Sequence, residues 1–87
     1  MNIIKEGDII KSIIPQAESY TLINNYGWAW NFNGYRYDLR HVLNVYGCEV
    51  DFWDLSIYDP ASKKHIGGKD SMSFDEAIEE LKKLRVE

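Results

Sequence analysis

Cysteine is almost missing from this chain: Cys48 is the only one in 87 residues, so no internal disulfide can form. Secreted domains of this size usually rely on two or more bridges, so a reducing, cytoplasmic setting is expected. Proline occurs only at Pro15 and Pro60, and no Gly- or Ser-rich linker, repeat or low-complexity tract divides the chain. No uninterrupted apolar run approaches the roughly 20 residues that span a bilayer. The opening Met1-Asn2-Ile3-Ile4-Lys5-Glu6 lacks the apolar stretch of a signal peptide. Cations are also scarce, 10 Lys and Arg against 14 Asp and Glu, for a net charge of −4. Sequence-independent nucleic-acid binding runs on cationic contacts and counterion release, and anionic membranes draw on the same charge. Both are disfavoured, and a partner with a basic surface is favoured.

What is present suffices for one core. Apolar residues make up 45% and charged residues 28%, which predicts a folded single domain over 1–87. Ile9, Ile10, Ile13 and Ile14 form one stripe of a short helix over 8–14, with Asp8 near its start and Pro15 past its end. Gly7 argues against a helix running from residue 2. Tyr20-Thr21-Leu22-Ile23 reads as a strand and Asn24-Asn25-Tyr26-Gly27 as a turn. Trp28 to Phe32 alternates strictly, and Asn33-Gly34 then predicts a two-residue hairpin turn. That turn would set Phe32 against Tyr35, Trp30 against Tyr37, Asn31 against Arg36 and Ala29 against Asp38.

Asp38 also resembles an N-cap, with Leu39, Val42, Leu43 and Tyr46 at helical spacing and Gly47 as the stop, so a second helix is expected there. Residues 48–58 read as a strand whose apolar phase changes between Phe52 and Leu55. A bulge near Trp53-Asp54 would let Val50, Phe52, Leu55 and Ile57 all face the core. Asp59-Pro60-Ala61-Ser62 is turn chemistry, and residues 64–69 read as a returning edge strand. Ser73 and Glu76 form a capping box ahead of the stripe Phe74, Ala77, Ile78, Leu81 and Leu84. The sum is an α+β domain: a mostly antiparallel sheet of four or five strands, with two or three helices on one face.

Tyr20, Tyr26, Trp28, Trp30, Phe32, Tyr35 and Tyr37 crowd one segment. The plain account is a core; the functional one is a stacking platform for a sugar, base or peptide, with only Arg36 and Arg40 nearby to hold phosphates. From His41 to Ser62 there is no Lys or Arg, while Glu49, Asp51, Asp54 and Asp59 are all acidic. On an unbroken strand Glu49 and Asp51 point the same way, about 6.7 Å apart, near two axial phosphate steps of DNA at about 3.4 Å each. Such a surface would steer onto a basic nucleic-acid channel and block it. The plain account is a solvated strand face.

Nucleophile chemistry would need Cys48 beside His41 or His65. On the expected helix His41 points to solvent, opposite the apolar stripe, and Cys48 follows a helix end whose dipole disfavours a thiolate. No C-x-x-C, H-E-x-x-H or EF-hand spacing exists, and Gly67-Gly68-Lys69 lacks the upstream glycine and following Ser or Thr of a P-loop. No catalytic residue, metal ligand or cofactor is therefore assigned.

The composition, small, acidic and rich in Ile, Asn, Lys and Tyr, is common among accessory and phage-encoded proteins. The reading is a non-catalytic inhibitor or adaptor that docks on a larger protein with a basic surface. Its contact surface would be the outer edge of the 49–59 strand: Glu49, Asp51, Asp54, Tyr58 and Asp59, with Trp53 as the aromatic anchor. The alternative is a small-ligand or nucleotide-binding protein that uses the aromatic hairpin within a homo-oligomer. A small hydrolase or transferase comes third.

Overall fold

In the computed structural model, which describes residues 3–22 and 25–85, the Asn33-Gly34 turn lies at the heart of the sheet. Both residues take positive φ, 53° and 81°, as a twist-matched two-residue hairpin requires. The turn joins β2 (Asn25–Phe32) to β3 (Tyr35–Val45). Phe32 then pairs with Tyr35, Asn31 with Arg36, Trp30 with Tyr37 and Ala29 with Asp38. β1 (Glu18–Leu22), β4 (Cys48–Asp59) and β5 (Lys64–Met72) complete a five-stranded antiparallel meander in the order β1-β2-β3-β4-β5. Two helices, α1 (Ile3–Ile13) and α2 (Phe74–Arg85), touch each other and cover the sheet face that carries Trp28, Trp30, Tyr37, Leu39, Trp53 and Leu55. The domain is α+β with two helices.

The core is built from stacked rings. Trp28 lies on Trp53 at 6.1 Å, Trp30 on Tyr37 at 5.6 Å, and Phe74 of α2 leans against Trp53 at 5.1 Å. Ile10, Ile13 and Ile14 from the first segment and Ala77 and Leu81 from α2 close the layer. Burying rings of this size supplies much of the drive for so short a chain. The opposite sheet face, among the described residues, carries no helix. Arg36 Nε meets Asp38 Oδ1 there at 3.1 Å. Burial and the nearby Asp38 charge push the Tyr20 phenol well above its ordinary pKa, with Arg40 and Arg36 opposing.

Several expectations are corrected by packing. α1 runs straight through Gly7, because an added Cβ there would sit 2.7 Å from Trp28 Cζ2. The glycine that weakens the helix is what lets it approach the tryptophan. Asn25, Tyr26 and Gly27 belong to β2 rather than to a turn, whereas Ile23 and Asn24 lie outside the described residues. The helix expected from Asp38 to Tyr46 is strand β3. Tyr37, Leu39 and His41 alternate into the helix-covered layer while Val42 packs on the other face, so a period of two overrides the coincident helical spacing.

Gly47 ends no helix; with Tyr46 it forms a second turn at positive φ, 51° and 86°, joined by Gly47 N donating to Asn44 Oδ1 at 3.0 Å. The irregularities along β4 are not the one expected. From Phe52 to Tyr58 it pairs without interruption to β3, with Phe52 opposite Val42 on the helix-free face and Leu55 and Ile57 toward the helices. The extra residues near Trp53–Leu55 and Ile57–Tyr58 belong to β5.

Candidate functional site

The β3–β4 hairpin outruns its neighbours. β2 reaches only to Asn25, opposite Val42, and β5 ends at Met72, opposite Trp53. Residues 43–52 therefore continue as a two-stranded ribbon that no other strand flanks among the described residues. Its register shifts between Val42–Phe52 and Asn44–Glu49, where Val50 and Asp51 of β4 oppose Leu43 alone on β3. The ribbon's charges, Glu49 and Asp51, are both negative. At its tip Tyr46 is fully exposed, at 101% of its reference area.

The six residues read as one contact surface are dispersed by the fold. Trp53 is 1% exposed and central to the core, so it anchors no partner. β4 is flanked by β3 and β5 along residues 53–59, so only its 48–52 portion is an edge. Asp54 accepts a hydrogen bond from Ser71 N at 3.0 Å across the β5 bulge. Tyr58 meets the His65 ring edge-on at 5.4 Å. Asp59 holds the next turn, accepting from Ala61 N at 3.0 Å and from Ser62 Oγ at 3.1 Å. Glu49 and Asp51 remain on the ribbon, but the bulge beside them breaks the alternation on which their phosphate-like spacing depends.

His41 is the residue whose placement departs most from expectation. As a strand residue it faces the helix layer, 1% exposed, and its ring stacks on Trp53 at 4.2 Å. Nε2 donates to Asp51 Oδ1 at 2.6 Å, and Nδ1 lies 3.7 Å from Glu6 Oε1 on α1. Burial raises the Glu6 pKa; the nearby imidazole opposes this and Asp51 adds to it. A Cys–His pair is not assembled. Cys48 is exposed opposite Val45, four residues further along β3 than His41, or about 13 Å at strand rise. His65 sits on β5 against Tyr58. The two carboxylates bracket opposite nitrogens of one ring and do not converge, and no group of three potential ligands for a metal ion occurs among the described residues.

A cleft of about 350 Å³ separates α1 from the β1–β2 edge, with Trp28 and Tyr26 as its aromatic wall and Asp8, Lys11, Ser19 and Thr21 at its rim. No helix of the described residues is long and apolar enough to cross a membrane. Tyr46 was missed from sequence because the helix expectation absorbed it, and Tyr-Gly is not one of the dipeptides that mark a two-residue hairpin turn. His41 was missed for the same reason, and nothing in the sequence joins Glu6 to it. No family model, curated protein or solved structure matches this chain, so its chemistry rests on the geometry just described.

Proposed function

We propose that the protein is a non-catalytic docking module, an inhibitor or adaptor that engages a larger protein with a basic surface through the β3–β4 ribbon. The observation that carries this reading is Tyr46. An asparagine or glycine reaches its left-handed backbone with less strain, as Asn33 and Gly34 do at the β2–β3 turn. A bulky aromatic held there and left wholly in solvent serves no packing role among the described residues. Strain kept at an exposed tip points to a contact made elsewhere. Glu49 and Asp51 give the ribbon one sign of charge, which speeds encounter with a cationic surface. The exposed Cys48 suits a reducing cytoplasm, where it stays a free thiol.

The test is capture of a stoichiometric partner from the native host's lysate by the wild-type protein, repeated with Tyr46→Ala. Retention by the wild type and loss by the variant, at equal thermal stability, supports the ribbon. Equal retention by both overturns it.

The α1–β1–β2 cleft favours a second reading, a small-molecule binder stacking a planar or sugar ring on Tyr26, with hydroxyls at Ser19 and Thr21. A saturable metabolite-induced change in tryptophan fluorescence would favour it. No change across a metabolite panel would remove it.

A further inference from the structure

We propose that Glu6 and His41 share a proton that fastens α1 to the sheet, and that raising the pH removes this proton and loosens α1. The argument begins with a count of donors. The Asp51 carboxylate accepts only, so at 2.6 Å the hydrogen lies on His41 Nε2. A neutral imidazole then presents a lone pair at Nδ1. That lone pair lies 3.7 Å from Glu6 Oε1, and both atoms are buried with no hydrogen-bond partner among the described residues. Two acceptors turned toward each other repel; one further proton, on either atom, makes the contact attractive.

Imidazolium beside carboxylate and imidazole beside carboxylic acid carry the same net charge, so the conclusion holds for either arrangement. The Trp53 ring closes one face of the imidazole and restricts its rotation away from Glu6. Among the described residues, the titratable groups facing His41 are Glu6 from α1, Asp51 from β4 and, across the strand ladder, Tyr26 from β2.

The sign follows from linkage. In the unfolded chain a glutamate ionises near pH 4.3 and a histidine loses its charge near pH 6.5. A folded pair that keeps the shared proton, as proposed, holds one proton more than the unfolded chain above about pH 6.5. This stability is fully present below that pH and is lost as the pH rises through the value at which the folded pair lets its proton go. Across that window the unfolding equilibrium constant rises by at most about tenfold per pH unit.

Urea unfolding of the wild type at intervals from pH 6 to pH 9 should show this rise. Glu6→Gln should abolish it, because the amide donates to Nδ1 with no proton to lose. Tyr26→Phe should leave it unchanged. Hydrogen exchange should place the loss of protection in α1 ahead of β3. A pH dependence that persists in Glu6→Gln, or a wild type whose stability does not vary, overturns the proposal. If Glu6→Gln fails to fold, the wild type decides by NMR. At pH 7.5 the Glu6 carboxyl carbon and the His41 ring nitrogens should report one proton beyond neutral imidazole plus carboxylate; a carboxylate beside a neutral ring at that pH refutes it.

Discussion

Tyr46 and Gly7 are two residues at which local preference yields to position, in opposite ways. At Tyr46 the backbone bears strain with no compensating contact among the described residues. Tyr46→Asn should therefore stabilise the fold, by about 0.5–1 kcal/mol, while weakening partner capture; thermal unfolding and a binding assay read the two effects separately. At Gly7 the close approach of Trp28 leaves no room for a methyl group. An exposed helix position gains about 1 kcal/mol from Gly→Ala, but here Gly7→Ala should destabilise by about 1–3 kcal/mol as the buried ring is forced aside. Chemical denaturation gives the sign directly. Both residues are conspicuous in the sequence, but their roles were hidden, since neither the partner ring at Gly7 nor the turn at Tyr46 follows from local spacing alone.

At the scale of elements, signals confined to a few neighbouring residues read correctly. Asn33-Gly34 set the β2–β3 register, and Ser73 with Glu76 set the start of α2, where Glu76 N donates to Ser73 Oγ at 3.1 Å and Ser73 N to Glu76 Oε1 at 2.9 Å. Hydrogen bonding by Ser73 to the Glu76 carboxyl, from its backbone N–H first and its side chain second, holds that carboxyl below its usual pKa. Its contribution is present above the ordinary glutamate value and is lost as the pH falls through the depressed one. Ser73→Ala should cost about 1 kcal/mol and return the Glu76 titration toward the ordinary value, as NMR would record. β3 was misread because Leu39, Val42, Leu43 and Tyr46 satisfy a helical stripe as well as Tyr37, Leu39 and His41 satisfy a strand. Only pairing with β2 on one side and β4 on the other decides between them. The candidate site suffered from that error, since the ribbon and the buried histidine exist only if this segment is extended.

For the whole molecule, charge is distributed along β4 rather than spread evenly. Every charge on β4 is negative, Glu49 and Asp51 at the ribbon end and Asp54 and Asp59 beyond, and Lys63 in the following turn and Lys64 at the start of β5 lie next to the Asp59 end. On the docking reading proposed above, a basic partner would be steered to the ribbon end. Replacing Glu49 by Gln, which leaves the Asp51–His41 contact in place, should leave the unfolding transition cooperative but slow association with the captured partner at low salt. The difference should shrink as ionic strength rises. Stopped-flow or surface-based kinetics would measure it, and equal rates at low salt would refute steering.

The meander order has a consequence for how the molecule assembles. Every strand pairs with its neighbour in sequence, so each hairpin closes over a short loop and little entropy is lost in bringing the partners together. The helices are different: α1 precedes all the strands and α2 follows them, yet the two touch over the same tryptophans. A sheet formed before α2 docks would thus expose Trp53 to water, and folding becomes cooperative only when the two ends of the chain meet over the middle.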